Sequence, residues 1–142
     1  MANISSHNVL NRLLTILARS FPNYLIYAHP SVTAGRQAVL DVLASVRDEQ
    51  QLLCTRICNF LQQQGVVPTV GDFPLEYTDA HDLGIDYVLK LLVSYQQQDI
   101  AAIEECVEQL RLAPAALAFA EEALGLARGH LELIEEQLRQ PA

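Results

Sequence analysis

One connection, residues 65–77, constrains this chain more than any other feature of its sequence. Apolar residues recur at three- and four-residue steps through four stretches, 6–29, 33–64, 78–110 and 114–139, and so predict four amphipathic helices. About three residues join the first helix to the second, and the third to the fourth, which makes each pair antiparallel neighbours. Thirteen residues separate the second helix from the third. Helices of about thirty residues are about 45 Å long, and thirteen extended residues at about 3.3 Å each reach nearly as far. The expected fold is an all-α four-helix bundle in a single domain, 1–142, with one long crossover that brings the third helix parallel to the second. Phe73, Pro74, Leu75 and Tyr77 supply apolar side chains to pin that crossover against the helices.

Within the first helix, Leu10, Leu13, Leu14, Leu17, Phe21, Tyr24, Leu25 and Ala28 define the inward face. Pro22 removes an amide donor and crowds the preceding turn, so a kink is expected near Ala18–Phe21, and Pro30 ends the helix. The second helix turns Val39, Leu43, Val46, Gln50, Leu53, Ile57, Phe60 and Leu61 inward, with Gly65 as its C-cap and Pro68 just beyond. The third is expected to be capped by Thr78 or Asp79 and to bury Ile85, Val88, Leu91, Leu92, Tyr95, Asp99, Ala102, Ile103, Cys106 and Leu110. The fourth opens at Pro114 and presents a seam of Leu117, Ala120, Leu124, Ala127, Leu131, Ile134 and Leu138.

Charge narrows the function classes. The net charge is −8, with one lysine (Lys90) and singly scattered arginines. That pattern offers no stripe to follow a phosphate backbone and argues against nucleic acid as a partner. There is no run of about eighteen apolar residues to span a bilayer, and the first residues lack the pattern of a signal peptide. Three cysteines, two of them one helical turn apart at Cys54 and Cys58, read as free thiols in a reducing cytoplasm. No Gly-rich phosphate loop, nucleophile elbow or catalytic Cys–His signature occurs.

The stretch Arg47-Asp48-Glu49-Gln50-Gln51-Leu52-Leu53, running on to Gln64-Gly65-Val66-Val67-Pro68, resembles the second helix and exit turn of small bacterial ferritin-like domains. Glu121-Glu122-Ala123-Leu124 through Arg128-Gly129-His130-Leu131 looks like their fourth helix. The resemblance implies a bundle whose centre would hold two metals on a carboxylate from each of two helices and a Glu-x-x-His pair from each of the others. Here those pairs are broken. Asp48-x-x-Gln51 stands in the second helix and Ala127-x-x-His130 in the fourth. The first helix offers Ser20, Phe21 and Asn23, and the third Asp99 with Gln97 or Gln98. No catalytic residue and no cofactor is carried over.

Three further features point to chemistry or contact. Gln50, Tyr95 and Asp99 lean inward with Arg47 and Arg128 in reach, and predict a hydrogen-bonded mid-bundle network. Gly125 and Gly129, with Ala118 on the same stripe, predict a close-packing seam, within the chain or against another molecule. Cys54 and Cys58 could take a soft metal, and Asp79, His81, Asp82 and Asp86 a cation, although small apolar packing and helix capping account for them with fewer assumptions. The expectation is a metal-free ferritin-like protein, more a binding or interaction module than an enzyme, homo-oligomeric and cytoplasmic, docking a protein partner through an apolar helix face. The alternatives are a metal-dependent oxidoreductase or metal-binding protein using a reduced site of Asp48, Asp99 and His130, and a carrier of a small apolar ligand between the helices.

Overall fold

The computed structural model describes residues 2–28, 37–82 and 84–140. Five α-helices and one 3-10 segment account for most of them, and there is no strand among the described residues: α1 (Ala2–Ala18), α2 (Phe21–Ala28), α3 (Gln37–Gln63), the 3-10 segment (Leu75–Asp82), α4 (Ile85–Gln109) and α5 (Pro114–Arg139). The fold class is all-α, as expected. The limit at Pro30 and the start at Thr33 fall outside the described residues.

Where a single kinked helix was expected across Pro22, the chain makes two. Ser20 stands between them as an N-cap, its Oγ accepting from the Asn23 N–H at 3.3 Å. The Asn23 side chain reaches back and donates to the Ala18 carbonyl at 2.7 Å, closing the end of α1. Proline is tolerated in a first turn, where its missing N–H would have had no intrahelical partner. A break with Pro22 in the first turn of α2 therefore costs less than a kink with Pro22 in a helix interior.

Helix α3 ends as the glycine predicts. Gly65 takes φ 77°, its N–H donates to the Gln62 carbonyl at 3.0 Å, and Val66 N–H donates to the Leu61 carbonyl at 2.9 Å. This pair of bonds is the Schellman closure of a helix. The start of α4 departs from expectation. Thr78 Oγ1 donates to the Leu75 carbonyl at 2.7 Å inside the 3-10 segment, and the N-cap of α4 is Gly84, six residues on from the expected start at 78 and without a side-chain cap. Pro74 starts a helical stretch too early to continue into α4.

Contacts fix the directions of the rods. Early α1 meets late α3, where Ser6 and His7 share a cleft with Phe60 and Gln64, and Ser20 meets Gln50 further along. Arg12 pairs with Glu105 and Phe21 packs on Tyr95 with ring centroids 4.9 Å apart. Both α3 and α4 thus run antiparallel to the α1–α2 rod and parallel to one another. In the same way Arg56–Glu122 and Glu49–His130 set α5 antiparallel to α3.

The connection between α3 and α4 follows α1 and α2 over most of their length. Asn11 grips it through a two-way amide pair, Nδ2 donating to the Thr69 carbonyl at 2.9 Å and Oδ1 accepting from Thr69 N–H at 2.8 Å. Gly71, at φ 68°, passes Arg19. Phe73 packs on Tyr24 and Tyr27, and Tyr77 closes an aromatic cluster with Phe21, Tyr24 and Tyr95.

Inside, the core divides into two apolar clusters. One gathers Leu10, Leu14, Leu17, Leu53, Ile57, Ile103 and the alanines of early α5. The other gathers Phe21, Tyr24, Leu43, Leu89, Leu92 and Ile134 around the aromatic cluster. The faces of α1, α2 and α3 follow the expected pattern among the described side chains, which do not include Ala28, except that Phe60 is half-buried. On α5 the buried stripe is Ala116, Ala120, Ala123, Ala127, His130 and Ile134, while Leu117, Leu124, Leu131 and Leu138 of the expected seam lie only half-buried beside it. On α4, Leu89, Gln96 and Val107 are buried, while Ile85, Leu91, Tyr95, Asp99 and Ala102 of the expected face lie half-buried. The alanine stripe lets α4 and α5 approach closely, which no row of leucines would permit.

Candidate functional site: a polar layer at mid-bundle

Between the two apolar clusters lies a layer of buried polar side chains, one from each rod. Ser20 comes from the α1–α2 break, Gln50 from α3, Gln96 from α4 and His130 from α5, at 1%, 4%, 2% and 3% exposure. On its rod each lies between a residue of one cluster and a residue of the other: Leu17 and Phe21, Leu43 and Leu53, Leu92 and Ile103, Ala127 and Ile134.

Each has at least one hydrogen bond. Ser20 Oγ donates to Gln50 Oε1 at 2.8 Å while it also caps α2. Gln96 Nε2 donates to the Ala127 carbonyl at 2.9 Å. His130 Nε2 stands 3.2 Å from Glu49 Oε1, and Glu49 is 46% exposed, so the imidazole is tied to the edge of the bundle. Two buried atoms of the layer, Gln96 Oε1 and His130 Nδ1, have no partner among the described residues. The side chains that carry them line, with Gln50 and Asp99, a cavity of about 10 Å³, otherwise walled by Ile16, Leu17, Ile103, Leu126 and Ala127.

Burial sets the protonation states. It pushes the Asp99 carboxyl up from 3.8 to about 7. It drives the His130 imidazole below its ordinary value, against the opposing pull of Glu49. Tyr77, beside this centre, has its phenol raised by burial and further by the nearby Asp99, Tyr95 and Glu76, with Arg19 working the other way.

Of the residues expected in a mid-bundle network, Gln50 and Asp99 reach the centre. Tyr95 joins the aromatic cluster instead. Arg47 and Arg128 do not enter: Arg47 pairs with Asp48 at 2.9 Å and Arg128 with Glu104 at 3.0 Å, both on the surface. A helix turns about 100° per residue, which places Asp48 about 200° from the inward Gln50. The reduced metal site is thereby divided, since Asp99 and His130 line one cavity while Asp48 faces outward. Gln51, Gln97 and Gln98 are also exposed.

Among the described residues, no group of three or more His, Cys, Asp or Glu side chains is placed to hold a metal ion. A carboxylate, an imidazole and two carboxamides do not fit a di-metal pair, which needs several anionic oxygens to balance its charge. Cys54 and Cys58 are half-buried free thiols, and burial, with Cys58 adding to it, raises the Cys54 thiol to about 12. The side chains of Asp79, His81 and Asp82 lie outside the described residues.

Ala118, Gly125 and Gly129 lie on the outer face of α5, and a Cβ added at either glycine would meet nothing within 4 Å among the described residues. No close approach to this stripe is made among the described residues. Sequence reasoning overlooked Ser20 as a cap, Glu49 as the partner of His130, and Gln96. Glu49 carried a usable signal, since it neighbours Gln50 on the flank of an inward-facing position. Gln96 carried none beyond the choice of helical phase.

No family model matches this chain, and neither a curated protein nor a solved structure matches it.

Proposed function

We propose that this chain is a ferritin-like four-helix binding module, homo-oligomeric and cytoplasmic, that carries no di-metal centre and is not an enzyme. The observation that carries the reading is the composition of the polar layer. A serine, two glutamines and one imidazole make up the buried layer at mid-bundle, with Asp99 as the one carboxylate beside it, whereas the ferritin-like plan calls for several anionic ligands at that level. Support for the plan itself comes from the parallel α3 and α4 and from the connection that follows α1 and α2 between them.

Binding is assigned to the outside of the bundle, because the central cavity is too small for an organic ligand. Val67, Leu75 and Tyr27 are 82%, 87% and 73% exposed, on or next to the crossover. A partner protein gains apolar burial by covering them. The outward stripe of Ala118, Gly125 and Gly129 supplies a second surface, where the backbone of another copy can come close. Among the described residues no helix is long and apolar enough to cross a membrane.

Native mass spectrometry with elemental analysis of chain purified without chelators tests the reading. The expected result is an oligomer with no stoichiometric iron, manganese or zinc. Stoichiometric metal that is lost on replacing Asp99 or His130 would overturn it in favour of a reduced metal site.

A further inference from the structure

The cavity at the polar layer is lined by side chains whose hydrogen-bonding roles can be assigned. A carboxylate facing an imidazole nitrogen only accepts, so the neutral His130, with Nε2 towards Glu49, carries its proton on Nε2 and leaves Nδ1 as a bare acceptor. Gln96 is held by its Nε2 bond to Ala127, which fixes Oε1 as an acceptor. Gln50 Oε1 is taken by Ser20, so the group Gln50 has left to offer is its amide N–H. The two acceptors without a partner among the described residues belong to side chains only 3% and 2% exposed. An unsatisfied buried acceptor is costly, because it has given up its bond to water and gained none in return. Two on one cavity are not a neutral feature. The volume of about 10 Å³ is at the lower end of the roughly 10–15 Å³ needed to hold one water-sized molecule.

We propose that this cavity is a binding site for a single water-sized molecule that donates two hydrogen bonds, one to His130 Nδ1 and one to Gln96 Oε1. Water and ammonium share that chemistry, and the other two polar groups of the lining distinguish them. The amide N–H of Gln50 suits the lone pair of a water. The Asp99 carboxylate suits the charge of an ammonium ion. Because Asp99 titrates near 7, the site favours water when Asp99 is protonated and is better suited to ammonium when it is ionised.

The titratable groups facing the cavity are Asp99 from α4 and His130 from α5, with Glu49 of α3 behind the imidazole and Tyr77 beside Asp99. Helix α1 contributes only Ile16 and Leu17. The occupant would complete a chain of polar contacts from the buried layer through His130 to the half-exposed Glu49. The assignment rests on the centre holding no metal, and elemental analysis of the same sample tests that premise separately.

The test uses the full chain. Long-range nitrogen–proton NMR of the imidazole should show His130 protonated at Nε2, with Nδ1 shifted as a hydrogen-bond acceptor. A crystal structure should show one density peak within hydrogen-bond distance of His130 Nδ1 and Gln96 Oε1. Nitrogen-15 ammonium chloride added at pH 8 then identifies the occupant. A protected ammonium resonance with a rise in melting temperature, both lost in Gln96→Leu, assigns ammonium; the density peak without such a resonance assigns water. A proton on Nδ1, or a direct Asp99–His130 bond with no peak between them, overturns the proposal. The wild-type measurements decide this even if the Gln96→Leu chain does not fold.

Discussion

Ser20 and Gln50 are joined at 2.8 Å across the bundle, and the same Ser20 Oγ caps α2 by accepting from Asn23 N–H. One hydroxyl thus ties a helix break to the central layer. Replacing it with alanine removes the cap and leaves Gln50 Oε1 without its donor. The expected loss for Ser20→Ala is about 2 kcal/mol in unfolding free energy, read by denaturant titration. Gln50→Leu alone should cost less, and the double variant Ser20→Ala, Gln50→Leu should lose less than the sum of the singles, because the two groups act as a pair. Strict additivity would show that the bond contributes nothing.

The sequence revealed most of the fold where large apolar residues stood alone on a helix face. Leu10, Leu13, Leu14 and Leu17 on α1, and Leu43, Leu53, Ile57 and Leu61 on α3, have no competing stripe and are all buried. On α5 two stripes run side by side with the same spacing, one of leucines and one of alanines. Periodicity cannot choose between them. Larger residues look more apolar, so Leu117, Leu124, Leu131 and Leu138 join Ala120, Ala127 and Ile134 in the expected seam, whereas the packing of α4 against α5 buries Ala116, Ala123 and His130 beside those last three and leaves the leucines half-buried. The same ambiguity of phase put Tyr95 and Asp99, rather than Gln96, at the middle of the α4 face. Of the polar layer, Gln50 was legible because hydrophobic neighbours at Val46 and Leu53 set its direction. The pairing of Glu49 with His130 spans 81 positions and is fixed only by the way α3 and α5 assemble.

Gly125 and Gly129 give a prediction whose direction depends on what lies outside α5. Helix-interior glycine is less favourable than alanine by about 1 kcal/mol, and here the added methyl group has space. Gly125→Ala and Gly129→Ala should each raise the stability of the isolated chain by roughly 0.5–1 kcal/mol. If another copy packs on this stripe, the same variants should weaken association, seen as later elution in size-exclusion chromatography. A stability gain with unchanged assembly would remove the stripe from the interface. Gly65→Ala should act oppositely, with a loss of about 1 kcal/mol, because its φ of 77° disfavours any Cβ.

Asn11 holds the crossover at Thr69 by a bond in each direction, with Thr15 Oγ1 donating to the same carbonyl at 3.2 Å. These groups are exposed, so water replaces much of what is lost. Asn11→Ala should therefore lower global stability by only about 1 kcal/mol, but it should accelerate amide hydrogen exchange at Thr69 far more than in the helices. Equal acceleration throughout the chain would mean that the crossover opens only with global unfolding.

Asp99 and His130 should make stability depend on pH in opposite senses. The Asp99 carboxyl is raised in the fold from 3.8 to about 7, so between those values the folded chain holds a proton that the unfolded chain has released. Stability from this group is full below about 3.8 and declines as pH rises toward 7, by at most roughly 4 kcal/mol. His130 is shifted the other way. Its folded form resists protonation, so it weakens the fold as pH falls below the ordinary 6.5. The two effects offset one another in mildly acid solution and separate above it, where His130 is neutral in both states while Asp99 has ionised. Asp99→Asn removes one of the pair. The variant should be more stable than wild type at pH 8, the gain should shrink as pH falls through 7, and its remaining acid sensitivity should reflect the other ionisable groups, His130 among them. Urea titrations of both chains at pH 5, 6, 7 and 8 measure this. A stability difference that does not change across that range would mean that Asp99 is solvated well enough to stay ionised, contradicting its placement beside the cavity.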